Sequence, residues 1–190
     1  MSILGVKRAV SLMHMSDGRR DWDNNPLQFL DFTIDGCSLR DMFDRPDDLT
    51  LLTADSFDNA SRSESLQRLL GMQVAAPDFS PHFHRTRLER WLRMRGTPHA
   101  PWGTAFEDGR IGLLFCRCGD LNCGALSMHL DVHDDSVVWR DIGWQTTYEP
   151  FTRPEREDAL VTARFAREPY ERLLRELLDW DWSHGPAAVA

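Results

Sequence analysis

Two alternating runs flank Asp134-Asp135 and give the clearest pattern in the chain. Leu130 and Val132 before the pair, and Val137 and Trp139 after it, are apolar at every second position, the period of a strand buried on one face. Asp134-Asp135 then reads as a tight hairpin turn that pairs Val132 with Val137 and Leu130 with Trp139. Upstream, Gly119-Asp120-Leu121-Asn122 is a second turn-forming quartet, which places Cys118 opposite Cys123 and Phe115 opposite Leu126. Together the two turns predict a three-stranded antiparallel meander over about 110–144. One face collects Ile111, Leu113, Phe115, Leu126, Met128, Leu130, Val132, Val137 and Trp139. The other collects Cys116, Cys118, Cys123, Ser127, His129, Asp131 and Arg140. A slip of one residue would exchange the two sets.

The pattern predicts fewer elements elsewhere. LQFLDFTI, from Leu27 to Ile34, reads as a strand with Leu30, Phe32 and Ile34 on one face, and Asp35-Gly36 turns the chain. Ser38 reads as the N-cap of a short helix, LRDMF, and Cys37 as a small buried filler. The run LTLLTA from Leu49 fits strand or helix, because a short apolar run carries no period. Ser61-x-x-Glu64 resembles a capping box before Leu66, Leu69 and Leu70. Arg85 to Arg95 has an apolar stripe of Leu88, Trp91 and Leu92 among arginines and reads as an amphipathic helix with a solvated face. Those arginines also suit a phosphate or carboxylate. Ala159 to Phe165 reads as a further strand. Pro169 stands at the expected first helical position, and Tyr170, Leu173, Leu174, Leu177 and Leu178 form a helical stripe over about 169–180. The expected architecture is α+β: a meander packed by a C-terminal helix, with an N-terminal strand and short helices. Residues 1–25 are expected to be an extension or loop, 26–182 a single domain and 183–190 a disordered tail.

The register puts three thiols at one tip of the meander. Cβ atoms of directly opposed residues lie roughly 4.5–5.5 Å apart, close enough for Cys116, Cys118 and Cys123 to hold a soft or borderline ion such as zinc. His129 and His133 lie too far along the strand to complete the set, which leaves Cys37, His82, His84, His99, Asp120 or water. C-x-C-x4-C is not the paired C-x2-C of a zinc ribbon, so reduced thiols that merely pack, or a redox or nucleophilic cysteine beside Arg117, remain open readings. His82-Phe83-His84 alone is a weak metal signal.

The runs CGDLNCGALS, SVVWRDIGWQTTYEP and ARFAREPYERLL together resemble a family of small uncharacterised bacterial proteins. That family has a CGD-x-x-CG hairpin, a V-x-W-x-D strand and a closing F-x-x-x-x-Y helix. The resemblance covers Arg110 to about Leu178 and implies a shared fold without an assigned activity. Cys118, Gly119, Asp120, Cys123 and Gly124 match the hairpin motif, and Cys116 stands outside it.

Composition narrows the function further. The chain has 190 residues, 42% hydrophobic and 27% charged, which suits one globular domain. A net charge of −8 argues against a general nucleic-acid binder and is neutral or favourable toward a basic protein partner. Lys7 is the only lysine, so the cationic surface is nearly all arginine. The first residues lack a signal-peptide pattern, no stretch reaches a membrane span, and the clustered cysteines do not suggest a secreted disulfide framework, so the cytoplasm is expected. No phosphate loop, dinucleotide fingerprint, nucleophile elbow or H-E-x-x-H occurs, and Asp47-Asp48 and Asp134-Asp135 read as turn residues. Two readings follow. The first is a non-enzymatic binding or accessory protein, immunity-like or the partner of a gene cluster, with part of its seven tryptophans available for recognition. The second is a zinc- or thiol-dependent enzyme centred on Cys116, Cys118 and Cys123.

Overall fold

A computed structural model describes residues 1–11, 27–43, 49–50, 59–74, 105–116, 121, 124–149, 151 and 161–181. The expected sequence features at His82, His84, 85–95, His99, Cys118, Cys123, the 119–122 turn and 183–190 lie wholly or largely outside them. The fold is α+β. One sheet has the order β1 (Leu4–Ser11), β2 (Leu27–Ile34), β3 (Cys37–Ser38). The second has the order β4 (Leu49–Thr50), β5 (Ile111–Cys116), β6 (Ala125–Val132), β7 (Ser136–Gln145), β8 (Val161–Ala166). All named pairings are antiparallel. The sheets meet where Ser2 bridges Phe165 in parallel and its N–H donates to the Arg164 carbonyl at 2.7 Å. Three helices complete the described fold: α1 (Leu39–Met42), α2 (Asn59–Leu69) and α3 (Arg167–Leu178). No helix among the described residues is long and apolar enough to cross a membrane.

The three-stranded meander forms, and its hairpin between β6 and β7 is the expected one. Val132 faces Val137 and Leu130 faces Trp139, and His133 N–H closes the two-residue turn on the Ser136 carbonyl at 2.8 Å. Nearer the thiols the register differs from the expected one. Phe115 lies opposite Ala125, and it is Leu114 that lies opposite Leu126; a bulge between Gly112 and Leu114 inserts a residue, so alternation breaks there. Phe115 therefore leaves the Leu126 face, and Leu114 takes its place. A second irregularity sits in β7, where both ladders shift beside Asp141.

Other boundaries moved for local reasons. Residues 4–11, expected in an extension or loop, form β1, which pairs with β2 along its whole length. Asp35 and Gly36 adopt φ of 53° and 82°, the twist a two-residue hairpin needs. Cys37 is exposed rather than buried. Ser38 stands at the α1 N-cap position but its hydroxyl does not cap; it donates to Asp31 instead. α2 is already helical at Asn59, so Ser61 lies within the helix rather than at its N-cap, and Glu64 pairs with Arg68 at 3.0 Å. The helix ends on a Schellman turn: Gly71, at φ 74°, donates to Arg68 O and Met72 donates to Gln67 O. α3 starts at Arg167, which makes Pro169 the third helical residue. Pro is tolerated there because first-turn N–H groups have no intrahelical acceptor.

One face of the meander carries the core. Trp139, Phe165, Tyr170, Leu174, Leu177, Leu66 and Leu69 are all buried, and they bring β7, β8, α3 and α2 together. Phe32 of the first sheet meets Trp139 edge-on, with ring centroids 5.8 Å apart. Trp139 also lies edge-on to Phe165 at 5.1 Å and to Tyr170 at 6.1 Å. Its indole N–H donates to Tyr170 Oη at 3.0 Å, and that hydroxyl donates to the Leu69 carbonyl at 2.8 Å. Burial pushes the Tyr170 phenol above its ordinary value. Glu171, held below the usual carboxylate range by Arg167 and by the more distant Arg175, lies on the rim of α3.

The far face of β2 is buried as well. Phe29, Asp31 and Thr33 alternate with the core residues Leu30, Phe32 and Ile34, and α1 packs over β2 with Arg40 stacked on the Phe29 ring. Asp31 is fully buried. Burial raises its carboxyl above the ordinary value, against the Ser38 hydroxyl, the Arg40 guanidinium, Lys7 and the Arg40 N–H, which all favour the charged form.

Two outcomes test this arrangement. Tyr170→Phe should leave the indole N–H and the Leu69 carbonyl unpaired at a cost of about 2–3 kcal/mol in urea unfolding. A loss under about 0.5 kcal/mol would mean that the hydroxyl links nothing. For Asp31 the sign follows from its raised folded value. The native state holds the proton more tightly, so this group's contribution becomes less favourable as pH rises from the unfolded value of about 4 through the folded one. Stability of the wild type relative to Asp31→Asn should accordingly grow as pH falls through that window, and a difference that is flat from pH 7 to 4 would contradict it.

Candidate functional site

A groove of about 430 Å³ lies beside the end of β6. Three elements shape it. α2 brings Arg68 and, through its Schellman turn, Met72 and Val74. Ala105 bridges Ile111, Phe106 N–H donates to Arg110 O at 2.8 Å, and Gly109 N–H to Phe106 O at 3.0 Å, so this segment folds back and presents Glu107. β6 and β7 supply His129, Leu130, Asp131 and Arg140.

The electrostatics of the groove are largely settled within the chain. Arg140 grips Asp131 with both Nε and Nη2, the latter at 3.1 Å from Oδ1. That bidentate pair holds the Asp131 carboxyl below the usual carboxylate range. His129 lies directly across the ladder from Arg140. Arg68 is engaged by Glu64. Glu107 is exposed and forms no ion pair among the described residues.

Next to the groove, on the same face as His129 and Arg140, lies a buried polar network that the sequence reading missed. Cross-strand neighbours share a face, so Gly112, Ser127 and Gly143 form one row and Phe115, Ala125 and Gln145 the next. Arg110 lies over the glycine row and is only 1% exposed. Its Nε donates to Ser127 Oγ at 3.0 Å, and its Nη2 donates to the carbonyls of Ser127 at 2.9 Å and Asp141 at 2.6 Å. Ser127 continues to Gln145 Oε1 at 3.1 Å, and Gln145 Nε2 to Asp108 Oδ2 at 2.9 Å. Phe151 stacks on the guanidinium, 3.6 Å from its ring centroid. Burial lowers the Arg110 pKa, opposed by Asp108 and Asp141. Both glycines are required by space: a Cβ on Gly143 would stand 2.8 Å from the Phe151 ring, and one on Gly112 would stand 2.4 Å from Phe115. The missed signal was this pair of glycines in otherwise strand-forming runs, which mark close approach of another group.

The thiol tip is placed only in part. Cys116 ends β5 opposite Leu49. Cys118 and Cys123 lie outside the described residues, as do His82, His84, His99 and Asp120, while exposed Cys37 belongs to the other sheet. Among the described residues no group of three His, Cys, Asp or Glu side chains is arranged to hold a metal ion. His129 and Asp131, read from sequence as residues of the polar face, meet at the groove with Arg140.

No family model, curated protein or solved structure matches the chain. The resemblance described above therefore rests on its own residues. Trp139, Phe165 and Tyr170 form one aromatic cluster.

Gly143→Ala should displace the Phe151 ring from Arg110 and destabilise the chain by about 1–3 kcal/mol. Arg110→Lys, which keeps the charge but loses the fork, should cost about as much. Chemical denaturation of both variants checks this, and wild-type stability for either would remove the network from the account.

Proposed function

We propose that this protein is a non-enzymatic binding or accessory protein whose partner is a basic protein. The observation that carries this reading is the state of the groove's charges. Asp131 and Arg140 are already bound to each other and Arg68 to Glu64, while Glu107 has no ion pair among the described residues on this mixed apolar and polar surface. Side chains tied into mutual pairs are poorly placed to move protons, whereas a groove of this size with apolar walls (Met72, Leu130, Phe106) suits recognition. The net charge of −8 adds long-range attraction for a cationic partner and speeds encounter at low salt.

Affinity purification from cells making the protein at native level, followed by reconstitution of the purified pair, tests the reading. The expected partner is basic, and Glu107→Arg should weaken its binding by about tenfold or more, consistent with reversal of a partly desolvated charge contact. Failure to recover any partner, or recovery of one whose affinity ignores both Glu107→Arg and Met72→Glu, would defeat it.

A further inference from the structure

β6 outruns its neighbour. β5 begins at Ile111 opposite Met128, whereas β6 continues to Val132 and stays paired with β7 the whole way. In an antiparallel ladder, residues that exchange N–H and C=O with the partner alternate with residues whose groups turn away. His133 bonds to Ser136 across the turn. Counting back along β6, Asp131 and His129 are then the residues that bond to β7. Leu130 and Val132 turn their N–H and C=O groups to the side that β5 leaves vacant. Met128, next in that series, is the residue that β5 does reach. Among the described residues, neither Leu130 nor Val132 makes a further backbone bond outside the β6–β7 ladder.

The groove lies on this vacant side, and its lining fits an edge. Leu130 and Ile111 come from the core face of the sheet, and His129, Asp131 and Arg140 from the opposite face. A strand laid there would send alternate side chains to each. We infer that the partner engages this edge by strand addition: an extended, lysine- or arginine-bearing peptide segment pairs with Leu130 and Val132 in line with β5. Main-chain bonds supply the register, as in other strand-addition complexes. The charge preference comes from Glu107, exposed at the rim without an ion pair among the described residues, on a chain of net charge −8. This rests on the reading of the protein as a binder of a basic partner, and commits it to one edge and one backbone geometry.

The test uses the full chain and synthetic heptapeptides that alternate lysine with Val, Ile, Leu, Phe or Tyr, beside the same peptides with glutamate for lysine. In the free protein, hydrogen exchange by NMR should find the Leu130 and Val132 amides fast and those of His129 and Asp131 slow. A lysine peptide should bind, slow the two fast amides at least tenfold and lose about tenfold in affinity when its edge-facing amides are N-methylated. The glutamate peptides should not bind. Val132→Pro, which removes an outward N–H without touching the β7 ladder, should block binding while the thermal unfolding midpoint stays near that of the wild type. Slow Leu130 and Val132 amides in the free chain would show the edge to be occupied already and overturn the inference. So would lysine-peptide binding that depends on Glu107 but ignores N-methylation, an outcome that leaves the broader reading standing. If no lysine peptide binds and no basic partner is recovered, both fall together.

Discussion

The fold depends on Trp139 being held from three sides. The indole sits at the centre of an aromatic cluster with Phe32, Phe165 and Tyr170, so it ties the second sheet to the first and to α3. Tyr170 then carries the connection to α2 by donating to Leu69 O. Burying a tryptophan of roughly 200 Å² is worth about 5 kcal/mol at ~25 cal/mol per Å², against about 1 kcal/mol for each hydrogen bond. Packing therefore supplies most of the stability. The bonds do something else: with indole and phenol buried, each polar atom must find its partner, and only one seating of α3 against β7 and α2 satisfies both.

That seating determines where the groove lies. α2 packs on α3 and β5, and its end at Gly71 comes up beside Val132, close enough that a Cβ on Gly71 would stand 2.8 Å from that side chain. Met72 and Val74 follow at once and become one wall. A longer helix would run on over the end of β6. The Schellman turn, which requires φ of 74° at Gly71, reverses the chain there and keeps the helix itself off that end of β6.

Period-two alternation made the meander, its hairpin and the strands at 27–34 and near 161–165 legible, and the helical stripe in α3 was equally plain. Alternation was a poorer guide wherever a second layer covered the sheet. Asp31 and Ser127 occupy positions that alternation assigns to solvent, yet both are buried, one under α1 and the other under Arg110. A one-face pattern cannot distinguish a polar residue facing water from one facing a buried partner. The bulge at Gly112–Leu114 was equally hidden. It moves Phe115 to the other face, and the run IGLLFC is apolar enough to accept either register. β1 was missed because Lys7 and Arg8, consecutive and both exposed, point to opposite faces of the strand and break its alternation. The groove was not legible at all, since its walls come from segments far apart in sequence.

The irregularity in β7 ties these features together. Asp141 adopts φ of 54°, a left-handed conformation that costs a non-glycine residue about 1 kcal/mol or more and that Asp tolerates better than most. The extra residue lets neighbouring positions serve different tasks. Arg140 reaches Asp131 at the groove, while the Asp141 carbonyl turns to accept Arg110 Nη2 at 2.6 Å. Beyond it, Ile142 and Trp144 return to the core face and Gly143 lies beneath Phe151. Without the bulge, uninterrupted alternation would exchange the faces of Ile142, Gly143 and Trp144. Gly143 would then face the core, and Ile142 would lie opposite Ser127, where Arg110 needs the space. The groove's bidentate pair and the buried arginine are thus set by one backbone feature, and a change at Asp141 acts on both together.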